Sequence, residues 1–135
     1  MKQVILFTNL IGATIFLYSC GTKSKTNLIT GKWAFDKIEK MSNPDSANAD
    51  EMNKNSEGII ATFRDNGSFI SIKTKNGYND TLGNGSYELT SDEKFIVTHD
   101  NRTNNTDSVE IIELSSKILK VQTSKKDILI LKKVQ

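Results

Sequence analysis

Cys20 and His99 are the only cysteine and the only histidine in a chain of 135 residues, and they bound the soft-metal and nucleophilic chemistry open to it. A transition-metal site needs several His, Cys or carboxylate ligands at fixed spacing. No second histidine or cysteine stands near either residue. A lone thiol also excludes an internal disulfide framework. The carboxylates Asp36, Glu39, Glu88 and Glu110 are scattered over different strand-like segments, which singles out no acid/base pair. Ser/His/Asp catalysis would have to be built around His99, whose alternating surroundings read as an ordinary strand face. The expectation is a protein without enzymatic activity, metal or cofactor.

What precedes Cys20 gives it a different chemistry. Lys2 supplies a positive start, and an apolar run from Val4 to Tyr18 is interrupted only by Thr8, Asn9, Gly12 and Thr14. The run falls short of the roughly 20 apolar residues of a membrane-spanning helix and ends in small residues, the pattern of a signal peptide. Leu17-Tyr18-Ser19-Cys20 resembles a bacterial lipobox, with Tyr18 an unusual occupant of its position. That resemblance implies a signal peptide over 1–19 and lipidation of Cys20, which becomes the first residue of the processed chain. It also implies a place in the bacterial cell envelope, on the periplasmic side or the cell surface. Each buried acyl CH₂ contributes ~0.8 kcal/mol, so several chains make a lasting membrane anchor. Residues 20–27 carry no apolar side chain after the cysteine and read as a lipidated tether, leaving 28–135 as the folded domain.

The domain itself is modest. Apolar residues make up 36% and charged residues 25% of the chain, enough for one soluble core. A formal net charge of +2, with no basic helix or base-stacking motif, excludes nucleic acid as a partner. The lysines at 117, 120, 125, 126, 132 and 133 read as solvated strand faces and a hairpin tip, with a surface facing anionic lipid or an acidic partner as the alternative.

Alternation of apolar and polar residues, broken by short turn signals, predicts an all-β domain of about eight strands. Trp33 and Phe35 share one face of the opening strand. Asn66-Gly67 and Asn76-Gly77 each predict a two-residue type I′ hairpin. With Asn66-Gly67 at the tip, Phe63 faces Ile70 and Ala61 faces Ile72, which places Ile59, Ala61, Phe63, Ile70 and Ile72 on the core side. Phe69 then falls outside, under the Arg64 stem. Gly83 and Gly85 predict a bulge or bend, Tyr87 and Leu89 point inward, and Ile111, Ile112 and Leu114 require another bulge. Between the first two strands lies a polar stretch from Met41 to Glu57, long enough to be a lid, with one or two helical turns from Ser46.

Gly31-Lys32-Trp33, followed by this meander, resembles the opening of the lipocalin-like β-barrels, and Gly85-Ser86-Tyr87 repeats its form. The resemblance implies an antiparallel up-and-down barrel whose tryptophan closes the floor. In lipocalins an arginine of the last strand usually covers that tryptophan; here the last strand offers Lys132 and Lys133. The resemblance further implies a small hydrophobic ligand, held by Trp33, Phe35, Phe63, Ile70, Tyr87 and Leu89 and entered under the long loop, in a monomeric protein. The alternative is a filled barrel that works through its outer surface as an adaptor or envelope-assembly factor. A domain this short for a lipocalin strengthens that second class without displacing the first.

Overall fold

The computed structural model describes residues 24–41 and 46–135, with backbone alone for 46–49. Cys20 and the sequence before it lie outside the described residues. Among the described residues two helices and eight strands follow in order: α1 (Lys25–Ile29), β1 (Gly31–Lys40), α2 (Ser46–Ser56), β2 (Ile59–Phe63), β3 (Ser68–Lys75), β4 (Tyr78–Leu89), β5 (Phe95–Asp100), β6 (Asn105–Leu114), β7 (Ile118–Gln122) and β8 (Ile128–Lys133). Each strand pairs antiparallel with the next, and β8 returns to β1, so the sheet closes into an up-and-down barrel. Closure leaves no unpaired strand edge.

The connections fall at two ends. The floor end holds α1 and the turns at 64–67, 90–94 and 115–117. The lid end holds α2 and the turns at 76–77, 101–104 and 123–127. α2 spans 11 residues, about three turns where one or two were expected. α1 begins at Lys25, inside the stretch that reads as tether, and its Ile29 is fully buried.

The first hairpin departs from expectation. Arg64 N–H donates to Ser68 O at 2.8 Å and Gly67 N–H to Arg64 O at 3.1 Å, which is a three-residue loop: a type I turn closed by Gly67 at φ 80°. Asn66 keeps a negative φ and uses its side chain, whose Oδ1 accepts from Ser68 N–H at 3.0 Å and Ser68 Oγ at 2.7 Å. Phe63 therefore faces Phe69 and Thr62 faces Ile70, one residue out of the predicted register. A slip of one turns a whole strand over. Phe69 and Ser71 point into the barrel, and Ile70 and Ile72 point out. Asn76-Gly77, with φ 53° and 78° and Lys75 opposite Tyr78, is the expected type I′ turn.

The expected bulges are present. The β3–β4 register shifts between Ser71 and Ile72, opposite Gly83 and Thr81, and leaves Leu82 as the extra residue. In β6–β7 the shift falls between Ile111 and Glu113, so Ile111 and Leu114 pack on the core while Ile112 is 47% exposed. Two further shifts in β1–β8 keep Ile38 opposite Leu129. Inside, the core is Ile29, Trp33, Phe63, Phe69, Tyr87, Ile96, Leu119 and Val121. Outside, Lys120 on β7 bonds Glu39 on β1 at 2.9 Å, and Lys132 on β8 bonds Asp36 at 3.0 Å. The first pair spans β8, and Ile130, opposite both Lys120 and Lys37, is only 9% exposed beneath these stems.

Candidate functional site

Trp33 is fully buried at the floor, and its indole N–H donates to Ile29 O at 2.7 Å. Lys133 lies 4.6 Å from the indole centroid, a cation–π distance. Its ammonium also donates to Leu28 O at 2.8 Å and to Thr30 O. One lysine thus ties the last strand to the segment that leads into the first. Gly31 makes room for it: φ is 129°, and a Cβ there would meet Lys133 Cε at 2.7 Å. This is the place that the resemblance assigned to an arginine, filled by the second of the two lysines it offered. Lys132 takes only the exposed ion pair with Asp36.

Above the floor lies a cavity of about 200 Å³, lined by Ala61, Phe63, Phe69, Ser71, Ile96, Thr98, Val109, Leu119, Val121, Leu129 and Leu131. Its wall is hydrocarbon except for the Ser71 and Thr98 hydroxyls, which bond no other described residue. Phe69 reaches into the space because its neighbours on β4 are glycines: it stands opposite Gly85, and a Cβ at Gly83 would come within 3.1 Å of its ring. Phe63 packs against Phe69, with centroids 6.4 Å apart, and edge-on against Tyr87 at 4.9 Å.

Of the six residues picked out as ligand contacts, Phe63 alone lines this cavity. Trp33 forms the floor beneath it. Tyr87 is buried and its hydroxyl donates to Arg64 O at 2.8 Å, which turns it toward the floor hairpin. Leu89 packs on the core cluster. Phe35 is half-buried and stands opposite Leu131, on the lumen side. Ile70 lies outside the barrel, in a groove of about 400 Å³ with Ile60, Ile72, Lys32 and Arg64. Phe69, which the predicted register placed outside, lines the cavity instead, and Ile96, Leu119 and Val121 were not singled out; the two glycines facing Phe69 were the usable signal.

At the lid end, α2 is fastened by Ile38 N–H to Asn53 Oδ1 at 2.8 Å and by Lys73 Nζ to Asn55 O. The β5–β6 turn is held by Arg102, whose guanidinium donates to Leu82 O at 2.9 Å and to Thr81 O across the β4 bulge. Asp100 Oδ1 accepts Arg102 N–H at 3.0 Å; that bond, with help from Asn84 N–H and the Arg102 charge, holds its carboxyl below the usual range. Asp92 in the 90–94 turn is lowered in the same way by the Thr90 hydroxyl at 2.6 Å and Lys94 N–H at 3.1 Å. His99 shares a hydrogen bond of 3.0 Å with Thr106 and lines a groove on the outer wall. Among the described residues no three His, Cys, Asp or Glu side chains gather as metal ligands, and no helix is long and apolar enough to cross a membrane.

A closed eight-stranded barrel with a tryptophan floor and an apolar lumen defines the architecture, and the family follows: residues 29–121 match the model of the lipocalin-like domain, and the chain belongs to that family. Among solved structures it is similar to a lipocalin-like protein from Bacteroides uniformis ATCC 8492, at 18% identity over 78% of this chain and 98% of that one, with a TM-score of 0.52. At that identity the likeness is one of fold. No curated protein matches the chain.

Proposed function

We propose that this protein is a membrane-anchored envelope lipoprotein, not an enzyme, whose barrel holds a small hydrophobic ligand. Membership of the lipocalin-like family supports small-ligand binding in general. The observation that carries the finer reading is the lumen cavity of about 200 Å³, apolar but for two hydroxyls. Ligand sites run about 300–1,000 Å³, whereas an engineered 150 Å³ cavity lined by Leu, Ile and Phe binds benzene or xenon. The ligand class is therefore about one ring or a short branched chain, with at most one polar atom to meet Ser71 or Thr98. A full-length fatty acid does not fit. The anchor is Cys20, on the strength of the lipobox-like sequence before it. The small volume also supports a second reading, a filled barrel acting as an adaptor through its outer wall.

Two measurements test the proposal. Intact mass of the protein extracted from membranes should show an acylated Cys20 as its first residue, and Cys20→Ala should block processing or release the protein from the membrane. Titration with xenon or a benzene-sized alcohol should shift the methyl NMR signals of Leu119, Val121 and Leu129. Shifts confined to Ile60, Ile70 and Ile72 would move the site to the outer groove and favour the adaptor reading.

A further inference from the structure

The structure fixes where the chain leaves the barrel, and that point decides how an anchored barrel stands on its membrane. Residues 25–30 are fastened across the floor. Ile29 is fully buried, Trp33 Nε1 donates to Ile29 O at 2.7 Å, Lys133 Nζ donates to Leu28 O at 2.8 Å and to Thr30 O, and Lys25 Nζ donates to Glu93 O at 3.0 Å. The docked helix thus takes residues 25–27 out of the segment that reads as a free tether. From Lys25 back to Cys20 there are five residue steps, which at full extension span at most ~18 Å.

We infer that the anchored barrel stands with its floor turns, 64–67, 90–94 and 115–117, against the phospholipid surface and its lid end directed away from it. This rests on the proposed acylation of Cys20. Ten residues of β1, rising ~3.3 Å each and tilted ~40°, put the lid end about 25 Å above the floor. The tether is too short to let the barrel invert, because lid-down contact would lift Lys25 about 25 Å from the lipid, and a barrel lying on its side is the pose that equal broadening at the two ends would reveal.

The floor rim suits a headgroup layer. Lys32, Arg64, Lys94 and Lys117 are exposed around it, with Asp65 and Asp92 between them. Lys25, though nearest the anchor, is turned inward onto Glu93 O and is not a headgroup contact. Charge alone would not choose an end, since Lys54, Lys75, Lys125 and Lys126 are exposed at the other. The attachment point chooses. Because Ile29 and Trp33 seal the floor, a ligand of the lumen then enters from the aqueous side, past α2, and not from the bilayer beneath.

The test uses the chain's only cysteine. Residues 20–135, coupled through Cys20 to a maleimide lipid in phosphatidylcholine nanodiscs, are anchored whether or not cells acylate them, so the result is independent of the mass measurement above. Gadolinium-chelate headgroup lipid is then added, and amide broadening is read by NMR. The amides of Asn66, Gly67, Ser91 and Ser116 should broaden several-fold more than those of Gly77, Asn104 and Lys126. Inserting about 20 Gly/Ser residues after Gly21 should level the contrast, because a coil of that length spreads over ~25 Å. Equal broadening at the two ends, greater broadening at the lid end, or none at either would overturn the inference. A contrast that survives the insertion would overturn the tether as its cause.

Discussion

Replacing Lys133 by methionine should cost far more than the same change one residue earlier. Lys133 and Lys132 are adjacent on β8, yet the first donates to Leu28 O and Thr30 O and lies 4.6 Å from the Trp33 ring centroid, while the second makes one ion pair with Asp36 at 3.0 Å with its side chain 59% exposed. Methionine keeps the packing of the stem and deletes the ammonium. A hydrogen bond to a charged group is worth about 1.5–3 kcal/mol, and a cation–π contact about 0.5–1 kcal/mol at a wet site. The two carbonyls belong to half-buried residues and recover part of their loss from water. Lys133→Met should therefore destabilise the barrel by about 2–3 kcal/mol, whereas Lys132→Met should stay within about 0.5 kcal/mol. Urea unfolding followed by the single tryptophan reads the difference directly, because Trp33 is fully buried at the same spot. The midpoint should fall with the slope unchanged. Equal midpoints for the two variants would refute the floor clamp.

Three other outcomes are expected. Phe69→Ala should cost about 3–5 kcal/mol and enlarge the lumen, while Ile70→Ala should cost about 1 kcal/mol or less; the reverse order by urea unfolding would restore the type I′ register. Replacing residues 43–55 by a short Gly/Ser link should leave a folded barrel, since it removes only the Ile38–Asn53 and Lys73–Asn55 bonds among those described, but should speed release of a benzene-sized ligand in exchange spectra. An unchanged off-rate counts against α2 as a lid. Asp92 and Asp100 are both depressed below 3.8 in the folded state, so their stabilisation is present above the ordinary carboxylate pKa and lost as pH falls below it. Asp100→Asn should flatten the acid limb of a thermal-melt series below pH 4; an unaltered limb would show that Asp100 contributes nothing to it.

The strand count and the bulges near Gly83 and Ile112 were legible because each follows from local pattern, whereas the closure and the tryptophan floor came with the resemblance carried by Gly31-Lys32-Trp33. Trp33 and Phe35 alternate, and Ile111-Ile112 can satisfy no strict alternation. The lumen wall was harder, for a reason that lies in β3. Ser68-Phe69-Ile70-Ser71-Ile72 carries apolar residues on both faces, so its orientation hangs on one turn, and Asn-Gly serves two hairpins that differ by one residue. At 76–77 nothing competes with type I′. At 66–67 the Asn66 side chain takes Ser68 N–H and Oγ, and Phe69 gains the space over Gly83, so the three-residue loop wins. The second is a long-range contact that the strand's own residues do not announce. α1 was invisible for a similar cause. Five polar-rich residues have no helical tendency worth naming, and what holds them is the floor.

The β1–β8 seam sets the order in which this molecule can come into being. Trp33 meets its strand partner Lys133 across a hundred positions, so the two ends of the chain must be present before the ring shuts. Loop-closure entropy is spent before that contact returns anything, which makes closure a late and slow event. Until then β1 and β7 are open edges, and Ile128-Leu129-Ile130-Leu131 is an uncovered aliphatic ribbon. A chain synthesised amino end first would therefore emerge as an unfinished sheet that the six residues of β8 complete. Loss of even a few C-terminal residues should then act on the yield of folded protein more than on any local property of the barrel.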